Sequence, residues 1–176
     1  MATKPARPSS SLNGVVHRRL TVPLYGPPIN VVFAESARAG AKWLADKFPD
    51  EEIDADDYDD TAAFVLCIGR WPWVVLPWSS DEDTIAHEAV HAAFEFHHAI
   101  NLKSGYSNQE PLAYFVGWLA GALGELLADL NLERAKLASK VRESEKSIRS
   151  AFAEITGRRP KPRATSVDAP AGGRVK

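Results

Sequence analysis

The chain has 176 residues, of which 45% are apolar, and a formal net charge of −2. This length predicts one domain with flexible ends, and the apolar fraction is enough to form a core. The small negative charge argues against a dedicated nucleic-acid-binding protein. Residues 50–60 carry eight acidic side chains and residues 158–176 carry six basic ones. Each run is more typical of a solvated loop or tail than of a recognition surface.

Cysteine content and apolar runs predict a cellular compartment. Cys67 is the single cysteine, which excludes an intrachain disulfide and fits a reducing environment. Its apolar surroundings predict a buried, inert thiol. Residues 1–13 are polar, so no secretory signal is predicted. The longest apolar run, 111–124, has 14 residues, and a membrane span needs about 20. We therefore expect a soluble cytoplasmic protein without a membrane partner.

The first third of the chain predicts strands followed by a helix. Residues 1–12 are expected to be disordered. Apolar and β-branched residues at 15–25 and 29–33 predict two short strands, separated by a Gly-Pro-Pro break. Residues 36–48 then follow the spacing of an amphipathic helix, and the acidic run after them predicts a loop.

A β-hairpin is predicted next, with runs at 61–68 and 71–78 joined by Gly69 and Arg70. Pro72 and Pro77 cannot donate ladder hydrogen bonds, so the second run is predicted at a sheet edge. This segment also contains three tryptophans, which indicate either core and rim packing or the wall of a substrate groove: Trp71, Trp73 and Trp78.

Three helices are predicted in the second half of the chain. The first runs from a cap at Ser80 to about residue 101, because three acidic residues follow the serine. The second begins near residue 109 and reaches at least 130, and its Gly117-x-x-x-Gly121 spacing predicts close intramolecular packing. The third is amphipathic over 137–155 and is expected to stop at Gly157. The prediction is therefore one α+β domain at 13–156, followed by a flexible basic tail at 157–176.

His87-Glu88-Ala89-Val90-His91 is an HExxH pentad within the first of these helices. Residues four apart share a helix face, so His87 and His91 can bind one metal ion. Glu88 lies beside that face, where it can take a proton from water. Two histidines around a glutamate on a helix are typical of zinc hydrolases.

A catalytic zinc needs a third protein ligand, and two candidates follow the pentad. His97 has the histidine spacing of the metzincins, but Phe94 stands where that family has glycine. On a continuing helix, His97 would lie about 240° further round than His91 and point away from the metal. Glu110 follows His91 after 18 intervening residues, just before Pro111, which suits the first helical position. Glu110 is the preferred third ligand.

With this spacing the chain resembles the gluzincins, especially small ones from bacterial and phage genomes, over about residues 61–125. The resemblance implies a zincin-like fold, in which a small sheet with an edge hairpin packs on the HExxH helix and a following glutamate-bearing helix. It implies a Zn²⁺ ion held by His87, His91 and Glu110. Glu88 would be the general base for a zinc-activated water attacking a peptide bond.

The resemblance also implies how a peptide would bind. In zincins a substrate pairs with an edge strand, a role predicted here for the run that contains Trp73, Val74 and Val75. Tyr106, Tyr114 and His98 are alternative donors to the developing oxyanion. Glu95 and His98, further along the face of His91, are predicted to support the site or to face solvent.

Two functions from different classes follow from this sequence. The first is a zinc metallopeptidase acting on a peptide or protein, in the host cytoplasm if the chain is phage-encoded. The second is a non-catalytic interaction protein with a zincin fold, in which zinc is structural or absent and a protein partner is bound. The oligomeric state is left open.

Overall fold

The computed structural model describes residues 14–23, 25, 27–103 and 109–156. The chain divides into two compact units, Met1–Lys136 and Leu137–Lys176. The boundary between them falls within the domain predicted at 13–156. The segments predicted to be disordered or flexible, 1–12 and 157–176, lie outside the described residues.

The described residues form a mixed α+β structure, as predicted. Each predicted strand or helix has a counterpart, and the last two predicted helices form a single helix. In chain order the elements are β1 (Val16–Thr21), β2 (Pro28–Ala34), α1 (Ala37–Lys47), a short 3₁₀ helix (Ala55–Tyr58), β3 (Phe64–Ile68), β4 (Trp71–Pro77), α2 (Glu82–Ala99) and α3 (Glu110–Thr156).

The four strands form one sheet in the order β1-β2-β4-β3. β1 is antiparallel to β2, β2 is parallel to β4, and β3 is antiparallel to β4. β4 is therefore an interior strand, and the prediction that it lies at a sheet edge is wrong. The edges of this sheet are β1 and β3.

The two prolines of β4 are accommodated because each has a strand partner on one side only. Pro72 lies opposite Cys67 of β3 and is beyond the register shared with β2. Pro77 lies opposite Ala34 of β2 and is beyond the register shared with β3. A residue without an N–H can occupy such positions at the two ends of a strand. Trp73, Val74 and Val75 between them pair on both sides.

Helices cover both faces of the sheet. Val31, Phe33, Val74 and Leu76 face the core formed with α2 and α3. The alternate residues of β2 and β4 face a second core formed with α1. Strands that are buried on both faces have continuous apolar sequences, which explains why β2 and β4 show no alternation with polar residues.

α1 lies close against the second face of the sheet at Gly40. A Cβ atom built on Gly40 would be 2.3 Å from Cγ1 of Val75 in β4. Glycine is therefore required at this point of the helix for steric reasons. Ser36 caps the same helix, and its hydroxyl accepts a hydrogen bond from the N–H of Ala39 at 3.1 Å.

α3 is one helix of 47 residues, whereas two helices were predicted. No glycine or proline interrupts residues 125–156, so nothing in that sequence ends the helix near 130. In the first unit, one face of α3 is buried in the core through five residues: Phe115, Leu119, Leu123, Leu127 and Leu130.

The opposite face of α3 carries Gly117 and Gly121. Both residues are exposed, and a Cβ built on either would have no atom within 4 Å. The predicted intramolecular packing through this Gly-x-x-x-Gly pair is therefore wrong, because the leucine face packs on the core instead. By length and composition, α3 alone among the helices of the described residues could cross a membrane, and 22% of its apolar window is buried.

Candidate metal centre

The HExxH pentad lies in the first half of α2, whose start is well capped. The side chain of Asp81 accepts a hydrogen bond from the N–H of Thr84 at 2.8 Å, so the cap is Asp81 and not the predicted Ser80. Glu82 and Asp83 occupy the first turn, where negative charge interacts favourably with the helix dipole. Three alanines on the inner face let α2 lie close to the sheet: Ala89, Ala92 and Ala93.

α2 ends in a Schellman motif. Asn101 has a positive φ of 58°, and its N–H donates to the carbonyl of His98 at 3.0 Å. The N–H of Leu102 donates to the carbonyl of His97 at 2.8 Å. Nε of Arg70, from the β3–β4 turn, donates to the carbonyl of Ala99 at 2.7 Å. The C-terminal end of the helix is therefore fixed to the hairpin.

His87 and His91 are exposed on the outer face of α2. Their Nε2 atoms lie 3.1 Å apart, and the ring planes are inclined at 63°. At this distance one ring can donate its N–H to the other. The two nitrogens thus converge on the same point, as the helical spacing predicts.

This spacing fits two ligands of a tetrahedral zinc ion. With Zn–N bonds of about 2.0–2.1 Å, nitrogens 3.1 Å apart subtend roughly 100° at the metal. A cation could take the place of the proton that the rings share. Exposure of both rings leaves room for further ligands and for a substrate.

Glu88 lies beside the histidine pair but on the inner side of the helix, and the residue is only 5% exposed. Burial raises the pKa of its carboxyl, and the neighbouring imidazoles of His87 and His91 act in the opposite direction. A carboxyl group with a raised pKa is a better proton acceptor near neutral pH. Its position next to the two candidate metal ligands suits a general base.

Within the described residues, no third candidate ligand lies beside His87 and His91. Among residues 14–23, 25, 27–103 and 109–156, no group of three histidine, cysteine, aspartate or glutamate side chains could hold a metal ion. Glu110 is the exposed first residue of α3. His97 is 2% exposed and stacks on Phe115 with ring centroids 5.4 Å apart. The ligand role of Glu110 therefore remains a prediction.

A second polar cluster continues the histidine face of α2 towards its C-terminal end. The thiol of Cys67, on the edge strand β3, donates to Oε2 of Glu95 at 3.2 Å. Cys67 is exposed, so the predicted burial is wrong, because β3 lies at the edge of the sheet. Local desolvation and the Glu95 carboxylate raise the pKa of this thiol to about 12.

The Cys67–Glu95 pair borders a groove of about 590 Å³ between the hairpin and the end of α2. His98 lines this groove and also an adjoining one of about 530 Å³. Both grooves lie one to two helical turns beyond His91. Sequence reasoning missed the contact between Cys67 and Glu95, since 28 positions separate them and only the strand order brings them together.

Most of the residues predicted to bind substrate are buried in the sheet. Trp73 is 6% exposed, and Val74 and Val75 are fully buried. All three pair with strands on both sides, so they cannot add a peptide strand, and this assignment is wrong. Tyr114 is 76% exposed on the second turn of α3, and Tyr106 lies outside the described residues.

No family model matches the chain, and neither a curated protein nor a solved structure is significantly similar to it.

Proposed function

We propose that this protein is a zinc-dependent hydrolase, most simply a metallopeptidase, with a zincin-like arrangement of the sheet and α2. The observation that supports this most directly is the 3.1 Å approach of the Nε2 atoms of His87 and His91, beside the buried Glu88. In this proposal Glu110 is the third ligand and reaches the histidines when the metal binds. A bound zinc ion would polarise a substrate carbonyl and lower the pKa of a coordinated water towards about 7.

Glu88 acts as the general base in this mechanism. Its carboxylate accepts a proton from the attacking water and delivers that proton to the leaving amine. The low solvent exposure of Glu88 keeps its carboxylate less hydrated. The imidazoles beside it would hold the metal-bound water within its reach. Tyr114 and His98 remain the described candidates for stabilising the oxyanion.

The substrate strand is reassigned to β3. Strand β3 is an edge strand, so its outer N–H and C=O groups are open to pairing with an extended peptide. The contact of Cys67 with Glu95 places β3 next to α2, one turn beyond His91. A peptide added along β3 would therefore pass beside the C-terminal half of α2.

One experiment tests the proposal with the full chain. Zinc content is measured by elemental analysis, and hydrolysis is measured on a broad peptide library. Glu88→Gln should keep its zinc and lose activity by at least about 100-fold, the usual contribution of a general base. Asp83→Asn, an equivalent change at an exposed site on α2, should keep both. Full activity in Glu88→Gln would refute the role of this residue.

The second candidate function is a non-catalytic interaction protein. Two observations favour it: the described residues provide no three-ligand group, and α3 exposes large apolar side chains along its C-terminal part. Absence of zinc binding, together with no hydrolysis by the wild type, would decide for this candidate.

A further inference from the structure

The C-terminal part of α3 carries an exposed apolar stripe. Five large side chains of the second unit are between 44% and 84% exposed: Leu137, Val141, Ile148, Phe152 and Ile155. A helix of about 20 residues has marginal stability in water without packing of its apolar face. The stripe is therefore a candidate docking surface.

Four of the five stripe residues have the a and d spacing of a coiled coil, and Phe152 falls at the neighbouring e position. Val141, Ile148 and Ile155 are seven residues apart and occupy the a positions of a heptad. The d positions are then held by three further residues: Leu137, Ser144 and Ala151. Heptad spacing is 3.5 residues per turn and produces a left-handed supercoil.

The charges beside the stripe are complementary between two parallel copies. Lys140 falls at a g position and Glu145 at the following e position. In a parallel pair, g of one helix faces the next e of the other, so Lys140 meets Glu145 of the second copy twice by symmetry. An antiparallel pair would bring the two Glu145 side chains together, which is repulsive.

The charges on the polar face of this segment do not favour binding to a membrane surface. Residues 137–156 contain four basic and three acidic side chains, so the segment is close to neutral. Amphipathic helices that bind anionic bilayers carry an excess of lysine and arginine on the polar face. Mixed charges around an apolar heptad stripe are instead typical of coiled coils.

We propose that residues 137–155 of α3 pair with the same segment of a second copy of this chain as a parallel, two-stranded coiled coil. The segment is about 30 Å long and holds fewer than three heptads, so we expect dimerisation to depend on concentration. The pairing does not involve the histidine face of α2 and does not rest on the proposed hydrolase function.

The mass of the full chain in solution tests the pairing. Sedimentation equilibrium over a hundredfold range of concentration should show the mass rising from 19.3 kDa to about twice that value. Ile148→Glu, at an a position, should remain monomeric throughout the range. Ser150→Glu, at an outward c position, introduces the same charge and should still dimerise. A wild-type monomer at every concentration would overturn the proposal.

Cross-linking tests the parallel orientation. In a Cys67→Ser background, Ser144→Cys places a thiol at a d position, where parallel helices bring the two copies close enough for a disulfide. Mild oxidation should give a covalent dimer, whereas Ser139→Cys, at the outward f position, should not. A dimer that Ser144→Cys fails to cross-link overturns the parallel arrangement. Binding to phosphatidylserine-containing vesicles without self-association overturns the second copy as the partner.

Discussion

Nε2 of His87 lies 3.1 Å from Nε2 of His91, one turn further along α2. Both rings are exposed, and the intervening helix carries the buried carboxyl of Glu88. One helix turn therefore supplies two neighbouring imidazole nitrogens, as candidate metal ligands, and a carboxyl group. Since catalytic zinc takes three protein ligands, the identity of the third is the most informative test of this site.

We expect single substitutions to identify the ligands. His87→Ala and His91→Ala should each weaken zinc binding by at least about 100-fold, because loss of a direct ligand exceeds the effect of losing a supporting group. Glu110→Ala should cause a similar loss, whereas Glu95→Ala, on the histidine face of α2, should retain binding. Competition with a chromogenic chelator measures all four affinities. Unchanged affinity in Glu110→Ala would remove that residue from the site.

The close approach of α1 to the sheet predicts a steric penalty at Gly40. A Gly40→Ala methyl group would meet Val75 at 2.3 Å, so we expect the free energy of unfolding to fall by about 1–3 kcal/mol, as for other overpacked cores. Val75→Ala should cost less stability in the Gly40→Ala background than in the wild type, because it also removes the clash. Urea unfolding followed by circular dichroism gives the values for both.

Gly121→Ala is the matched control for Gly40→Ala. A Cβ at this exposed helical position meets no atom within 4 Å, so alanine should raise stability by about 0.5–1 kcal/mol through helix propensity. Loss of stability in Gly121→Ala would indicate that this face of α3 is packed in solution.

The exposed thiol of Cys67 should react slowly. Because desolvation and Glu95 raise the pKa of this thiol to about 12, its thiolate at pH 8 is much scarcer than that of an ordinary cysteine. Glu95→Gln removes the negative charge and should accelerate alkylation by iodoacetamide at least about tenfold. The unfolded chain should react at the ordinary rate. Equal rates in Glu95→Gln and wild type would contradict this account.

Burial of His97 predicts a loss of stability in mild acid. Burial lowers the pKa of its imidazole, so the unfolded chain takes up a proton more readily than the native protein. The free energy of unfolding should therefore decrease as the pH falls below about 6.5. His97→Phe, which preserves the stacking on Phe115, should decrease less. Urea titrations with a chelator present at about pH 7.5 and 5.5 measure the slope, and identical slopes would refute this role.

Local patterns in the sequence predicted the element types and the histidine pair. The i, i+4 spacing of His87 and His91 is a property of one helix turn, so no tertiary contact is needed to bring the two rings together. Gly69, with its positive φ of 61°, likewise marks a hairpin turn whose geometry involves only adjacent residues. The apolar and β-branched runs of β2 and β4 likewise indicated strands, although not their places in the sheet.

Strand order, by contrast, depends on contacts between distant segments. Pro72 and Pro77 were consistent with an edge strand, yet each needs only one free side, and the register offset between β2 and β3 provides it. The same order places Cys67 at the sheet edge beside Glu95. Neither residue carries a local pattern that indicates this contact.

The sequence by itself determined the type of each main element, and that two imidazoles and a carboxyl group share one turn of α2, because these relations depend on residues close together in the chain. Only the tertiary structure decided that β3 lies at an edge of the sheet and that Glu88 is buried while the histidines are exposed. It also decided that the N-terminal half of α3 buries a row of leucines and exposes Gly117 and Gly121. Those outcomes depend on which apolar faces pack together, and that choice is made across the whole core.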